Sequence, residues 1–378
     1  MKIGRGPVIA LGFIVLFCAD CGGGNGGGTP TIDNYFAYFA NGVGKIYAAG
    51  INPNTGALTE IAGSPFNADG NPTSIAVEPS GKFIYAASPT TGTVSAYSIN
   101  PSTGALTKIS GSPFSDGGYY QGYDYPHTVA IDPAGKFLYV TIFEYNYVAS
   151  FSINSATGAM NKLGSGGPPF FGPTGYQPCA IAIDPTGKFA YVVNNGSGDV
   201  TASSIDPTTG ALTEMPGSPF AAGAGHFSVN IDATGKFLYL QHINEVSAYS
   251  IDPTTGALTE IAGSPFAASG HPYYNSVVID PTGKFIYMTD ADYGYVYGFG
   301  IDPATGALTG IVGSPFALGT YGAIGVDPAG KFLYLCLWGG DVSGYIINPS
   351  TGALTQIAGS PFLQGAAPFS IATVHIKR

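Results

Sequence analysis

The residues best equipped for chemistry lie in two tyrosine-rich stretches. The first, "GGYYQGYDYPHTVAIDP", carries Tyr119, Tyr120, Tyr123, Asp124, Tyr125 and His127, and "FEYNY" adds Glu144, Tyr145 and Tyr147. The second, "SGHPYY" followed by "DADYGYVY", carries His271, Tyr273, Tyr274, Asp290, Asp292, Tyr293 and Tyr295, and the single tryptophan, Trp338, comes later. Aromatic faces beside carboxylates suit a neutral, hydroxyl-rich ligand such as a sugar, held by stacking and directional hydrogen bonds. The same tyrosines also suit a plainer role, capping an apolar end of the fold. "TDADYG" offers two carboxylates, too few for the six or more oxygens that Ca²⁺ takes, so no metal is expected. His226 and His242 stand alone and read as hydrogen-bonded scaffold. There is no G-x-S-x-G elbow, no His pair at metal-ligand spacing, and no P-loop or dinucleotide fingerprint, so no cofactor is expected either.

The elements that must position these residues are written as a repeat. "TGAL", or "TGAM" once, recurs with its Thr at positions 55, 103, 157, 209, 255, 305 and 351, a period of about 50 residues. Each of the seven copies runs on into "GSPF", degenerate once as "GSGGPPFF" at 164–171, and "IDPTGKFIY" or a variant lies between successive copies. A period of this size is that of β-propeller blades. One copy, residues 276–316, shows how a blade arises: "SVVI", "KFIYM", "YVYGFGI" and "ALTGIV" read as strands separated by turn signals. In the first turn Asp280 can accept a backbone N–H, Pro281 presets φ, and Gly283 supplies the positive φ of a tight hairpin. Alternation puts the rings of Phe285 and Tyr287 on one strand face, toward a neighbouring blade.

The expected fold is therefore all-β, a seven-bladed propeller with four antiparallel strands per blade. The body begins at "YFAYFAN", the equivalent of a second strand, and ends at "APFSIATVHI", the equivalent of a first strand. One blade should be assembled from both ends, closing the ring and hiding its sheet edges. The first-to-second and third-to-fourth turns are nearly invariant and share one rim. The second-to-third and fourth-to-first connections vary and share the other, where a binding surface is free to diversify. All the residues named above as chemically equipped fall on or beside that variable rim.

The organisation before residue 35 is different. "MKIGRG" and the apolar run "PVIALGFIVLFCA" read as a secretory signal over 1–20, too short to span a bilayer comfortably. A Gly-rich tether follows at 21–34, and the propeller occupies 35–378. Cys21 resembles the acylated cysteine of a bacterial lipoprotein. Lipidation, plain secretion and an uncleaved anchor all place the body outside the cytoplasm, with a membrane involved only through that N-terminal segment. Cys179 and Cys336 lie in different repeats and read as isolated buried thiols. The net charge is -10, and the two arginines are at positions 5 and 378. Nucleic acid is not an expected partner, and the protein is expected to be a monomer.

The order "P-x-x-x-A-I-D-P-x-G-K-F-x-Y", a variable loop, then "V-x-x-Y-x-I-D-P-x-T-G-A-L" resembles the seven-bladed lactonase family, propellers similar to 6-phosphogluconolactonase, over residues 35–378. Residues 190–210 are more weakly similar to YVTN-type repeats of surface propellers. Opening a lactone requires a base to activate water and donors for the developing oxyanion. The resemblance implies a His on one inner strand, an Arg-His pair on the next, and a Glu after the following "Y-x-V-N". His127 fits the first place, with Glu144 or Asp290 as assisting carboxylates. Cys179 and Ala180 stand where Arg and His are expected, and Asn195, which joins the ligand-contacting set, stands where Glu is. Six of the eleven lysines sit in "GKF" turns on the other rim, so a phosphorylated lactone is not the expected substrate. Two functions follow as expectations. One is a surface or periplasmic binding protein for a neutral carbohydrate, a glycan or a cell-surface protein. The other is a hydrolase of an uncharged sugar lactone.

Overall fold

The computed structural model describes residues 33–115, 126–163, 174–223, 225, 228–242, 245–268, 276–290, 294–319, 322–337 and 340–377, with the backbone alone at Pro126 and His127. The leader, Cys21 and the tether as far as residue 32 lie outside them. The described residues form seven antiparallel sheets, each with a path of four strands. We call the sheet that joins the two ends of the chain the closing blade and the others blades 1 to 6 in chain order.

In the closing blade, Asn34–Asn41 pairs antiparallel with Pro368–Ile376, Tyr35 opposite His375 and Phe39 opposite Ile371. The inner strands contact one another in a closed cycle, with Pro368–Ile376 between Ser74–Val77 of blade 1 and Ile324–Val326 of blade 6. Two side chains secure the cycle there. Ser370 Oγ accepts the Ile75 N–H at 3.3 Å, and Thr373 Oγ1 donates to the Val326 carbonyl at 2.7 Å.

Each recurring motif has a bonding task. In "IDPTGK", Asp280 Oδ1 accepts the N–H groups of Lys284 and Phe285 at 2.9 and 2.6 Å, while Oδ2 takes the N–H and hydroxyl of Thr282. In "IDPTTGAL", Asp252 Oδ1 accepts from Thr254 and Thr255, and Gly256 takes a φ of 71°. A Cβ on Gly256 would also lie 2.7 Å from the Phe189 ring of the preceding blade. Two constraints thus demand glycine at one residue, backbone hand and ring contact.

The aromatic pair of the second strand provides the link between blades. Tyr287 Oη donates to the Gly352 carbonyl of the next blade at 2.7 Å, and Phe285 abuts the same glycine. All seven blades repeat this bond to the next: Tyr38 to Gly104, Tyr85 to Gly158, Tyr139 to Gly210, Tyr191 to Gly256, Tyr239 to Gly306, Tyr287 to Gly352 and Tyr334 to Gly56. Burial pushes these hydroxyls well above the ordinary tyrosine range, so they remain protonated donors.

The outer strand departs from the sequence expectation. "ALTGIV" is not one continuous strand. Leu308–Gly310 pairs with the far end of Tyr295–Ile301, the chain then bulges, and Phe316–Ala317 pairs with its near end. Ser314, in "GSPF" before a cis Pro315, fills the gap: its Oγ accepts the Gly298 N–H at 2.9 Å. The serine is repeated because the bulge leaves one ladder N–H without a backbone partner.

Candidate functional site: the variable rim

The second-to-third and fourth-to-first connections share the rim opposite the "GKF" turns, as antiparallel order requires. Tyr119, Tyr120, Tyr123, Asp124, Tyr125, His271, Tyr273, Tyr274, Asp292, Tyr293 and Trp338, all expected near the ligand, lie outside the described residues. The rest can be placed.

His127 lies on the inner strand Pro126–Ile131 of blade 2, where the register shifts between Pro126 and Val129. The same irregularity falls at Cys179 in blade 3 and beside Phe369 in the closing blade. Bulges re-aim side chains and are common beside active sites. Thr128, next to His127, donates through Oγ1 to the Cys179 carbonyl at 2.8 Å and joins blades 2 and 3 at this level. Cys179 is fully buried, and burial pushes its thiol up to about 12. It is core, packed with Phe143 and Val193. Cys336 is buried in the same manner, and neither residue is in a disulfide.

Glu144 and Tyr145 sit exposed in the hairpin of blade 2. Asn195 is half-buried in the hairpin of blade 3, its N–H donating to the Gln177 carbonyl at 2.9 Å. Asp290 is buried at the end of a second strand in blade 5. Glu144 and Asp290 therefore belong to blades separated by two others, and the fold does not bring these two carboxylates together.

A polar ring emerges that the loop-by-loop reading of the sequence missed. Counting three residues past the repeated Tyr gives Asn41, Ser88, Asn194, His242 and Asp290 in five of the blades, with Ile142 and Leu337 in the other two. Asn194 is the best defined. Its Nδ2 donates to Asp199 Oδ1 at 2.7 Å and Thr201 Oγ1 at 2.8 Å, while its own Oδ1 is buried without a partner. The carboxylate fixes the amide orientation, because a flipped amide would set two acceptors against each other. The signal was available as a fixed offset from an invariant tyrosine, inside the strand rather than in the variable loop.

Two lysines that reach this rim are engaged. Lys108 pairs with Asp69 at 2.7 Å, and Lys45 Nζ donates to Asn67 Oδ1. Lys82, Lys136, Lys188, Lys236, Lys284 and Lys331 are exposed on the opposite rim. Among the described residues no group of three or more His, Cys, Asp or Glu is placed to hold a metal ion.

Seven four-stranded sheets closed by the two chain ends, with one uniform and one diversified rim, define a seven-bladed β-propeller. Residues 34–371 match the family described as "Lactonase, 7-bladed beta-propeller", and the chain belongs to that family. A curated 6-phosphogluconolactonase of Formosa agariphila is 36% identical over 91 residues, 23% of this chain. The match spans only about a quarter of that relative's own length (24%). Among solved structures, a Bacteroides fragilis protein crystallised under the provisional name 6-phosphogluconolactonase aligns with a TM-score of 0.74 at 20% identity, covering 90% of this chain and 98% of its own. A periplasmic gluconolactonase of Pseudomonas aeruginosa aligns at 0.71 and 16%, covering 91% and 99%. At such identities these structures speak for the fold alone.

Proposed function

We propose that the protein is an exported propeller whose variable rim binds an uncharged, hydroxyl-rich ligand, a carbohydrate or a sugar lactone. The observation that carries this reading is the state of the rim's charges. Lys108 and Lys45 are engaged by Asp69 and Asn67, while Asn194, Asp199, Glu144 and Asn195 supply acceptors. A phosphoryl group calls for Arg, free Lys or a helix N-terminus, whereas acceptors beside tyrosines match sugar hydroxyls. Export rests on the signal-like segment 1–20, which would leave the body at the cell surface or in the periplasm.

Family membership favours a second reading, hydrolysis of an uncharged lactone at the same rim. His127 on its bulged strand is the base in this reading, with a carboxylate assisting. A panel of lactones offered to the purified protein and to His127→Ala tests it. Turnover of unphosphorylated lactones that falls at least about a hundredfold in the variant, the usual contribution of a general base, supports catalysis. Absent turnover leaves a binding protein, and turnover unchanged in the variant removes His127 as the base.

A further inference from the structure

We propose that Tyr145 and Tyr176 form a saccharide-stacking platform at the junction of blades 2 and 3. The proposal rests on the reading of the variable rim as a face for uncharged ligands, and it names the place and the chemistry. Among the described residues these two are the only aromatics with large exposed side chains, 37% for Tyr145 and 57% for Tyr176. The repeated second-strand tyrosines, by contrast, are buried in the links between blades.

The loop that carries Tyr176 is braced. The Tyr176 ring lies against Gly196, where an added Cβ would come within 2.3 Å of it. The Tyr176 carbonyl accepts the N–H groups of Gly196 and Ser197 at 2.9 and 3.2 Å, and the Tyr176 N–H donates to Ser197 Oγ at 3.0 Å. The residues that follow the two tyrosines are joined directly, Gln177 N–H donating to Asn146 Oδ1 at 2.7 Å. Asn146 and Gln177 also hold φ values of 57° and 59°, a left-handed conformation that non-glycine residues adopt at a cost and that concentrates at functional sites.

The chemistry around the rings selects the occupant. Glu144 adjoins Tyr145, and Asn195, Ser197 and Asp199 border Tyr176; segments 143–146, 174–177 and 194–199 contain no Lys or Arg. Tyrosine faces take the C–H face of a pyranose, while carboxylate, amide and hydroxyl oxygens take its hydroxyl protons. The two carboxylates repel an acidic sugar. The ligand class is therefore a neutral saccharide.

The test is a panel of neutral and acidic oligosaccharides on the full chain, followed by calorimetry with the best neutral binder. Neutral saccharides should bind, and Tyr176→Ala and Tyr145→Ala should each weaken binding at least tenfold with an unchanged melting curve. Tyr176→Trp should retain it, and Lys284→Ala on the opposite rim should have no effect. Saccharide binding that survives both alanine variants overturns the platform while leaving the ligand class of the rim intact. Binding of acidic saccharides alone, or no saccharide binding, overturns both. Capture of a protein that depends on these tyrosines, without saccharide binding, assigns the patch to a protein contact and overturns the proposal. Lactone turnover is a separate readout, governed by His127.

Discussion

Tyr334 and Gly56 are separated by 278 residues in sequence, yet the Tyr334 hydroxyl donates to the Gly56 carbonyl at 2.8 Å. This is the seventh of the tyrosine links and the one that joins the last repeat to the first. Tyr334→Phe removes the donor and leaves a buried carbonyl unsatisfied, which costs about 1–3 kcal/mol. Tyr191→Phe, the same change within the chain, should cost a similar amount, because both bonds are buried and of equal length. Gly56→Ala should cost more than either. It adds a left-handed penalty of roughly 1–2 kcal/mol at φ 73° to a Cβ only 2.4 Å from Phe332. Urea unfolding midpoints check the ranking.

The serine of "GSPF" offers a second test. Ser264 Oγ accepts the Ala248 N–H at 3.0 Å beside the bulge of the outer strand. Ser264→Ala should destabilise by about 1 kcal/mol. Hydrogen exchange should accelerate at Ala248 more than at Tyr249, whose neighbours keep their ladder bonds. Equal acceleration at both would mean that the blade loosens as a whole and that the serine is not the specific partner.

Acid sensitivity should come partly from the exposed turns. Backbone N–H bonds from Thr209, Thr255 and Thr305 hold the carboxyls of Asp206, Asp252 and Asp302 below the usual carboxylate range. A depressed folded pKa gives stability that is present above the unfolded value of about 3.9 and is lost as pH falls through the lower folded value. Asn52, Asn100, Asn154 and Asn348 make the same bonds in the other four blades without titrating. The triple variant Asp206→Asn, Asp252→Asn, Asp302→Asn should therefore keep the turn bonds, give up the charge-dependent part of the stability at pH 7, and lose less stability than the parent between about pH 4 and pH 2. Asp327 acts in the opposite sense: burial raises its pKa, so its contribution falls as pH rises from the unfolded value through the folded one.

How far the sequence could be read follows from what each residue must satisfy. The propeller, its seven repeats, its closing strand and the pairing of Phe285 with Tyr287 were all legible, because turn chemistry and alternation act locally and recur. The split outer strand was not. "GSPF" looks like an ordinary strand ending, and only the register shows that Ser314 completes a ladder from a bulge. The site was legible as a rim but not as a set of partners. Glu144 and Asp290 look equivalent in sequence, and only the ring order shows that two blades stand between them. Tyr176 carries no mark of its own in the sequence, because its ring is placed against Gly196 in another loop.

The two thiols provide a fourth prediction. Burial pushes Cys179 up to about 12 and Cys336 higher still, so almost no thiolate exists at pH 8. Native protein should resist iodoacetamide for hours, and both residues should label once guanidinium unfolds the chain. Rapid labelling of Cys179 in the native state would instead place its sulfur at the rim, beside His127 and in reach of a ligand.

The final prediction concerns discrimination between phosphorylated and unphosphorylated ligands. Binding a phosphate in an acceptor-rich rim leaves its charge unpaired, and breaking the Lys108 to Asp69 pair to supply a cation exposes Asp69 in turn. A sugar or sugar lactone should therefore bind more tightly than its 6-phosphate. The preference should narrow as salt rises from about 20 mM to 500 mM, because added ions screen the repulsion as the Debye length falls below about 10 Å. Calorimetric titration of matched pairs at both salt concentrations measures this. An equal or tighter affinity for the phosphorylated member at low salt would require a cationic receptor on the rim and would reverse the assignment of ligand charge.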